Sequence, residues 1–345
     1  MQSAVLVNNQ DLELQEVSVP TPGPGEVVVK MEGALTNSID VREYRQSTTF
    51  PAPLGHECAG TISAIGANVT KFAVGDAVMM ANSAGCGHCS YCQKEQDNYC
   101  SDFEANRTRG AFSEYVKVSA PVVAHNMYIK PEHVSFYDAA FLDSLAQIVH
   151  GLNSIKIEPE DTVVILGCGS IGLLFLQALR IIGKPRTIIA ADKGSDRVAK
   201  AKSLGADYVC NIEERPIVDS IKDITDNYGA NIVIECAGTE ESWSQMMDLA
   251  SRGSHVLVFG GCPSGADVTV NTGKIHYDQM TIVGSVNYTS ADVHQACDLL
   301  INKKFSPSVI LNNSIPLTEL KNSFVLLNNG EAIKYGVFPV SATKE

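Results

Sequence analysis

Thr162-Val163-Val164-Ile165-Leu166-Gly167-Cys168-Gly169-Ser170-Ile171-Gly172 is the stretch whose reading decides the fold. Val163 to Leu166 are apolar and mostly β-branched, which predicts a strand covered on both faces. Gly167, Gly169 and Gly172 fit G-x-G-x-x-G: a tight turn, a close backbone approach to a pyrophosphate, and a helix packed against its strand. The run Leu173 to Ile182 predicts that helix, with Ser170 and Ile171 at its mouth, where backbone amides attract phosphate charge. Such a turn also occurs in α/β domains that bind nothing, so its context matters. After Lys184-Pro185, a second strand, Thr187 to Ala191, ends at Asp192. That acid lies about 20 residues past the last glycine, where a carboxylate accepts hydrogen bonds from adenosine ribose hydroxyls. It also repels a 2′-phosphate and so points to NAD, although Lys193 and Arg197 beside it keep NADP open. Arg197 joins the candidate cofactor contacts.

At 345 residues, with 45% apolar content, the chain has room for about two domains with real cores. Its net charge of −13 argues against a nucleic-acid or anionic-membrane surface. No apolar run approaches the roughly 20 residues of a spanning helix. Met1 to Val5 do not read as an export signal, and the expectation is a cytoplasmic enzyme with a small-molecule substrate.

Residues 1 to about 120 read as mostly β, with short runs such as Ala4–Val7, Val27–Met31 and Ala77–Met79 set between Pro/Gly turns. From about 150, strands alternate with helices. The strand candidates are Val163–Leu166, Thr187–Ala191, Tyr208–Cys210, Ile232–Glu235, His255–Phe259 and Thr281–Val283. Helices are expected at Arg197–Leu204 and Trp243–Ala250. This is the pattern of a doubly wound parallel sheet, of Rossmann type. A helix at Asp292–Ile301 and a polar tail then return to the first domain. The expected organisation is a discontinuous domain, 1–150 with 288–345, carrying a lobe at 84–102, and a dinucleotide-binding domain at 151–287.

Cys86, Cys89, Cys92 and Cys100 follow C-x2-C-x2-C-x7-C. Four thiolates so close in sequence can wrap a tetrahedral zinc, and four ligands leave no open position, so this metal is structural. A disulfide pair or an iron–sulfur centre are the other readings.

Three features occur in one order: Gly55-His56-Glu57-x2-Gly60-x5-Gly66-x2-Val69, the cysteine lobe, and the glycine turn. Gly110-Ala111-Phe112-Ser113-Glu114-Tyr115, Ala201 to Asp207 and Ile234-Glu235-Cys236-Ala237-Gly238 add smaller matches. Over about residues 1 to 340 the chain resembles the zinc-dependent medium-chain alcohol and polyol dehydrogenases, in particular the sorbitol and threonine dehydrogenase branch. The resemblance implies a GroES-like, mostly-β catalytic domain beside the Rossmann domain, and a homodimer or homotetramer. It also implies hydride transfer between a nicotinamide and a secondary alcohol, polyol or matching ketone, beside Gly169. A catalytic zinc or other divalent metal would act there as Lewis acid. His56 matches a family metal ligand and Glu57 the adjoining acid. Asp143, in Leu142-Asp143-Ser144-Leu145, stands where the polyol branch has a glutamate.

The resemblance breaks upstream. The family carries Cys-Gly-Ser/Thr-Asp, with a thiolate ligand and a proton-relaying hydroxyl; aligned on the acid Asp40, this chain has Asn37-Ser38-Ile39-Asp40. Asn37 takes the thiolate's place and Ile39 the hydroxyl's. A neutral amide oxygen is a poor partner for zinc. Three readings stand at this point: a metal in a harder shell of His56, Glu57 and Asp143, a metal-free reductase of a carbonyl, imine or activated alkene, or a non-catalytic nucleotide sensor. Without a metal, Arg42 and Tyr44 are candidate donors to a developing alkoxide.

Overall fold

The computed structural model describes residues 1–302 and 305–339. The chain divides into two compact units, residues 1–146 with 288 onward, and Gln147–Asn287. No helix among the described residues is long and apolar enough to cross a membrane.

In the second unit all six expected strands form one parallel sheet. Their order is Tyr208–Asn211, Thr187–Asp192, Thr162–Leu166, Ala230–Glu235, Ala250–Val258, Thr281–Gly284. The direction of winding reverses at Thr162–Leu166, which lies between the second and fourth strands of the chain order. Consecutive residues of that strand, Val163 and Val164, are both fully buried, as a sheet covered on two faces requires. The helix Ser170–Leu179 follows directly. The helix expected at Trp243–Ala250 differs: it runs Glu240–Gln245, capped by Thr239, and ends where Met246 and Met247 turn into the core. Ala250 already begins the next strand.

In the first unit, the long antiparallel pair Val27–Leu35 and Glu57–Ile65 forms the middle of a seven-stranded sheet. Ala77–Met80 and Met127–Ile129 extend it on one side, Gly336–Phe338 and Ser314–Pro316 on the other, and Tyr115–Val118 also pairs with Val27–Leu35. Leu6, Val29, Met31, Ile62, Phe112 and Phe324 fill the core beneath it. The register has one consequence for function. Leu35 pairs with Glu57 on one side and with Gly336 on the other. Three distant segments therefore end side by side: Asn37 just after Leu35, His56 just before Glu57, and Lys334 just before Gly336.

Candidate active site

The glycine turn sits at the carboxyl end of the parallel sheet, where strand order reverses and α/β sheets hold their ligands. Gly167 has φ of +95°, and a side chain on Gly172 would lie 1.8 Å from the Gly167 carbonyl oxygen, so helix and strand meet in backbone contact. A side chain on Gly169 would instead point into open space. Gly169 is also the helix N-cap and brings no side chain to its first amides, as a phosphate site at a helix N-terminus requires. Gly167, Gly169, Asp192, Lys193, Arg197 and Ala237 line one pocket. Ser170 and Ile171 form the first turn of the helix at its edge. Asp192 Oδ2 accepts from the Cys168 amide at 2.5 Å, with Arg197 Nη1 at 3.8 Å. Lys193 pairs with Glu241 at 3.0 Å. Glu235, buried at the end of its strand, accepts from the amides of Ala237 and Gly238 and from Ser242, which shapes the far wall. A dinucleotide fits this donor set.

In the first unit, ligand atoms of His56, Glu57 and Asp143 lie within 4.8 Å of one another, all buried. Asp40 serves twice. Its Oδ2 accepts from the Asn37 amide, closing a capping box on the helix Ser38–Gln46, and its Oδ1 lies 2.8 Å from His56 Nδ1. His56 Nε2 is buried without a partner. Burial pulls the His56 imidazolium down, but Asp40, with Glu57 and Asp143 behind it, more than reverses this and pushes its pKa up to about 9. Glu57 Oε1 accepts from Asn37 Nδ2 at 2.9 Å and from the Ser144 hydroxyl, and Oε2 lies 2.5 Å from Lys334 Nζ. Lys334 is only 1% exposed and stands over the Phe141 ring. Asp143 Oδ1 accepts from the Asn82 amide at 2.9 Å and the Tyr288 hydroxyl at 2.7 Å.

Two donors named from sequence lie elsewhere. Tyr44 is stacked on Phe324 and donates to the Gln10 carbonyl, so it is a packing residue; Arg42 is exposed on the helix surface. Thr36 belongs to the sheet seam, accepting from the Tyr335 amide. Ile39 supplies only a backbone amide to the Asn37 cap.

Cys86, Cys89, Cys92 and Cys100 also converge within 4.8 Å, and all four are free thiols. Backbone amides of Cys86, Cys89 and Cys92 point at neighbouring sulfurs at 3.3 to 3.5 Å. The Cys92 amide, outweighing burial, lowers the Cys89 thiol to about 7, while burial pushes Cys92 up to about 12. Four sulfurs held together by amide donors fit a tetrahedral zinc. His88 turns away, with Nδ1 on the Cys86 carbonyl.

Residues 23–128 match the alcohol dehydrogenase GroES-like domain, and residues 170–302 the zinc-binding dehydrogenase family. The chain is 32% identical to sorbitol dehydrogenase of Halalkalibacterium halodurans over 95% of each chain. It is 29% identical to D-arabitol-phosphate dehydrogenase of Enterococcus avium, over 92% of this chain and 91% of that one. It belongs to the medium-chain zinc-type alcohol and polyol dehydrogenases. A zinc-binding dehydrogenase of Sinorhizobium meliloti 1021, bound to NADP, superposes with a TM-score of 0.89 at 26% identity, covering 98% of this chain and 99% of that one. An alcohol dehydrogenase of Escherichia coli CFT073, complexed with NADH, gives 0.88 at 25%, again over 98% and 99%. The chain is thus an enzyme of this dehydrogenase family.

The family's two metals fare differently here. The cysteine lobe fits its zinc. The His56 cluster offers three candidate ligands, the number a catalytic zinc takes, but its carboxylates are already hydrogen-bonded by the protein. Glu57 is bonded by three protein donors, and Asn37 presents N–H groups. The sequence reading named His56, Glu57, Asp143, Asn37 and Asp40, and the fold brings all five together. It missed Lys334, Ser144 and Tyr288. Ser144 adjoins Asp143 and was the one signal within reach; the other two lie far away in the chain.

Proposed function

We propose that the chain is an NAD-dependent dehydrogenase interconverting a secondary alcohol or polyol and its ketone, with His56 as the residue that exchanges the hydroxyl proton. The observation that carries this reading is the buried pair Asp40–His56, with one imidazole nitrogen held and the other unpartnered. When bound, the nicotinamide supplies the acceptor or donor of hydride. Asp40 holds Nδ1–H, which fixes the ring and leaves Nε2 to take the alcohol proton, or to return it to the oxygen of a ketone. With a pKa near 9, Nε2 carries a proton at neutral pH. The site is therefore charged for reduction at neutral pH, and alcohol oxidation gains as pH rises toward 9. The same proton-charged state favours a second reading, reduction of an imine or activated double bond. Asp192 supports NAD over NADP, because Lys193 and Arg197, which could meet a 2′-phosphate, are drawn to Glu241 and to Asp192 itself.

The test is a panel of polyols, secondary alcohols and their ketones with both coenzymes, followed by the absorbance of reduced nicotinamide. Turnover of at least one pair is expected, with His56→Asn lowering kcat by about 10²–10⁴-fold at unchanged NAD affinity. No turnover on the panel, or full activity in His56→Asn, overturns the reading. Asp192→Ala is expected to weaken NAD by about tenfold or more, from the loss of charge-assisted hydrogen bonds, and NADP much less. Equal losses refute the ribose assignment.

A further inference from the structure

We infer that Lys334 and Asn37 stand in for the second zinc ion of the zinc-type dehydrogenases, so that this chain holds one metal, in the cysteine lobe. The orientation of the Asn37 amide decides the matter. Its Oδ1 accepts from the backbone N–H of Ile39 at 3.0 Å. A backbone N–H can only donate, so the oxygen must face it and the NH2 must face the cluster, where it meets Glu57 Oε1. The group at the thiolate's position therefore points protons at the place a metal would occupy. Turning it over would strand the Ile39 amide and put N–H against N–H.

Lys334 completes the substitution. Its ammonium, fully buried on Glu57 Oε2, supplies the positive charge that a buried carboxylate needs. A metal on Glu57 would place a second cation on the same carboxylate a few ångströms from the first, in a low-dielectric interior where like charges repel strongly. With Glu57 committed, at most His56 and Asp143 remain, one short of the three ligands a catalytic zinc requires. The register that pairs Leu35 with both Glu57 and Gly336 fixes Lys334 there, so the replacement belongs to the sheet and not to a surface side chain. The inference leans on the dehydrogenase reading only for its significance, since metal content is measured without turnover.

The experiment counts zinc per chain by mass spectrometry in full-length protein, as purified and after excess zinc, cobalt(II) or manganese(II) followed by desalting. One zinc is expected, lost in Cys89→Ser, with no second equivalent of any of the three ions retained. Asn37→Cys, which adds a thiolate to His56 and Asp143, is expected to gain a second zinc. Two equivalents in the native protein, none, or one that survives Cys89→Ser overturn the inference, and an Asn37→Cys variant that gains no metal overturns the part given to Asn37. Should Cys89→Ser not fold, anomalous maps at the zinc edge decide: density only among the four sulfurs supports the inference, and density beside His56 defeats it. One zinc without turnover would defeat the proposed function and leave this inference standing; two zincs with turnover would defeat this inference and the proton-exchange role of His56, and leave only the dehydrogenase activity standing.

Discussion

The cysteine lobe and the His56 cluster each bring several metal-binding side chains within 4.8 Å, yet they are built on opposite principles. Around the lobe, the sulfurs receive weak backbone N–H contacts, and no lysine or arginine pairs with them among the described residues. Around His56, the carboxylates receive an ammonium, two hydroxyls, an amide NH2 and a backbone amide. Proximity of ligand types is common to both. What separates them is whether the charge of those ligands is already compensated by protein donors. Four thiols drawn together without a cation need a metal to become stable thiolates; a glutamate on a buried lysine does not.

The largest expected effect tests that compensation. Lys334→Met leaves Glu57 buried and unpaired, and is expected to cost about 3–5 kcal/mol of stability in urea unfolding. The loss should be the same with and without a zinc chelator. A loss that is small with metal present and appears only on chelation would mean that a metal also compensates Glu57, and the contrast with the lobe would fail.

Next in size is a dependence on pH. The His56 pKa stands at about 9 against an ordinary 6.5, so the stabilisation from its partners amounts to roughly 3 kcal/mol. Because the folded value is raised, this stabilisation is complete below about pH 6.5 and is lost as pH climbs through 9. The native protein should therefore exceed Asp40→Asn in stability by most at pH 6, with the gap closing toward pH 9.5. A metal on Nε2 would displace the proton, so a gap that ignores pH would sharpen the case for a bound ion.

The smallest effect concerns the amide. Asn37→Ala removes the helix cap and one bond to Glu57, and should lower stability by about 1 kcal/mol in thermal melts, with Asn37→Ser recovering the cap share. Zinc content should not change in either variant. Loss of zinc from Asn37→Ala would make the amide a ligand after all.

How far the sequence reached follows from how local each feature is. The glycine turn and Asp192 form one strand–turn–helix–strand unit, and Gly167 and Gly172 meet their constraints within it. The four cysteines lie between 86 and 100, so their spacing alone limits the geometry. The expected helix over 243–250 overruns the observed one, which ends at Gln245, because Met246 and Met247 continue the apolar run in a 3-10 turn that dips into the sheet's core. Tyr44 was misplaced for a similar reason: a polar tip on a helix near the site says nothing about which way the ring packs.

The sequence by itself determined the two folds, the nucleotide turn and the sulfur cage, since each is written in neighbouring residues, and set against the family's pattern it showed the loss of a thiolate at position 37. Only the tertiary structure decided what that loss means. Lys334 stands 277 residues from Glu57, and Tyr288 stands 145 from Asp143. No periodicity links such positions. They meet because strand register carries their segments to one end of a sheet, and burial there obliges each charge to find a partner.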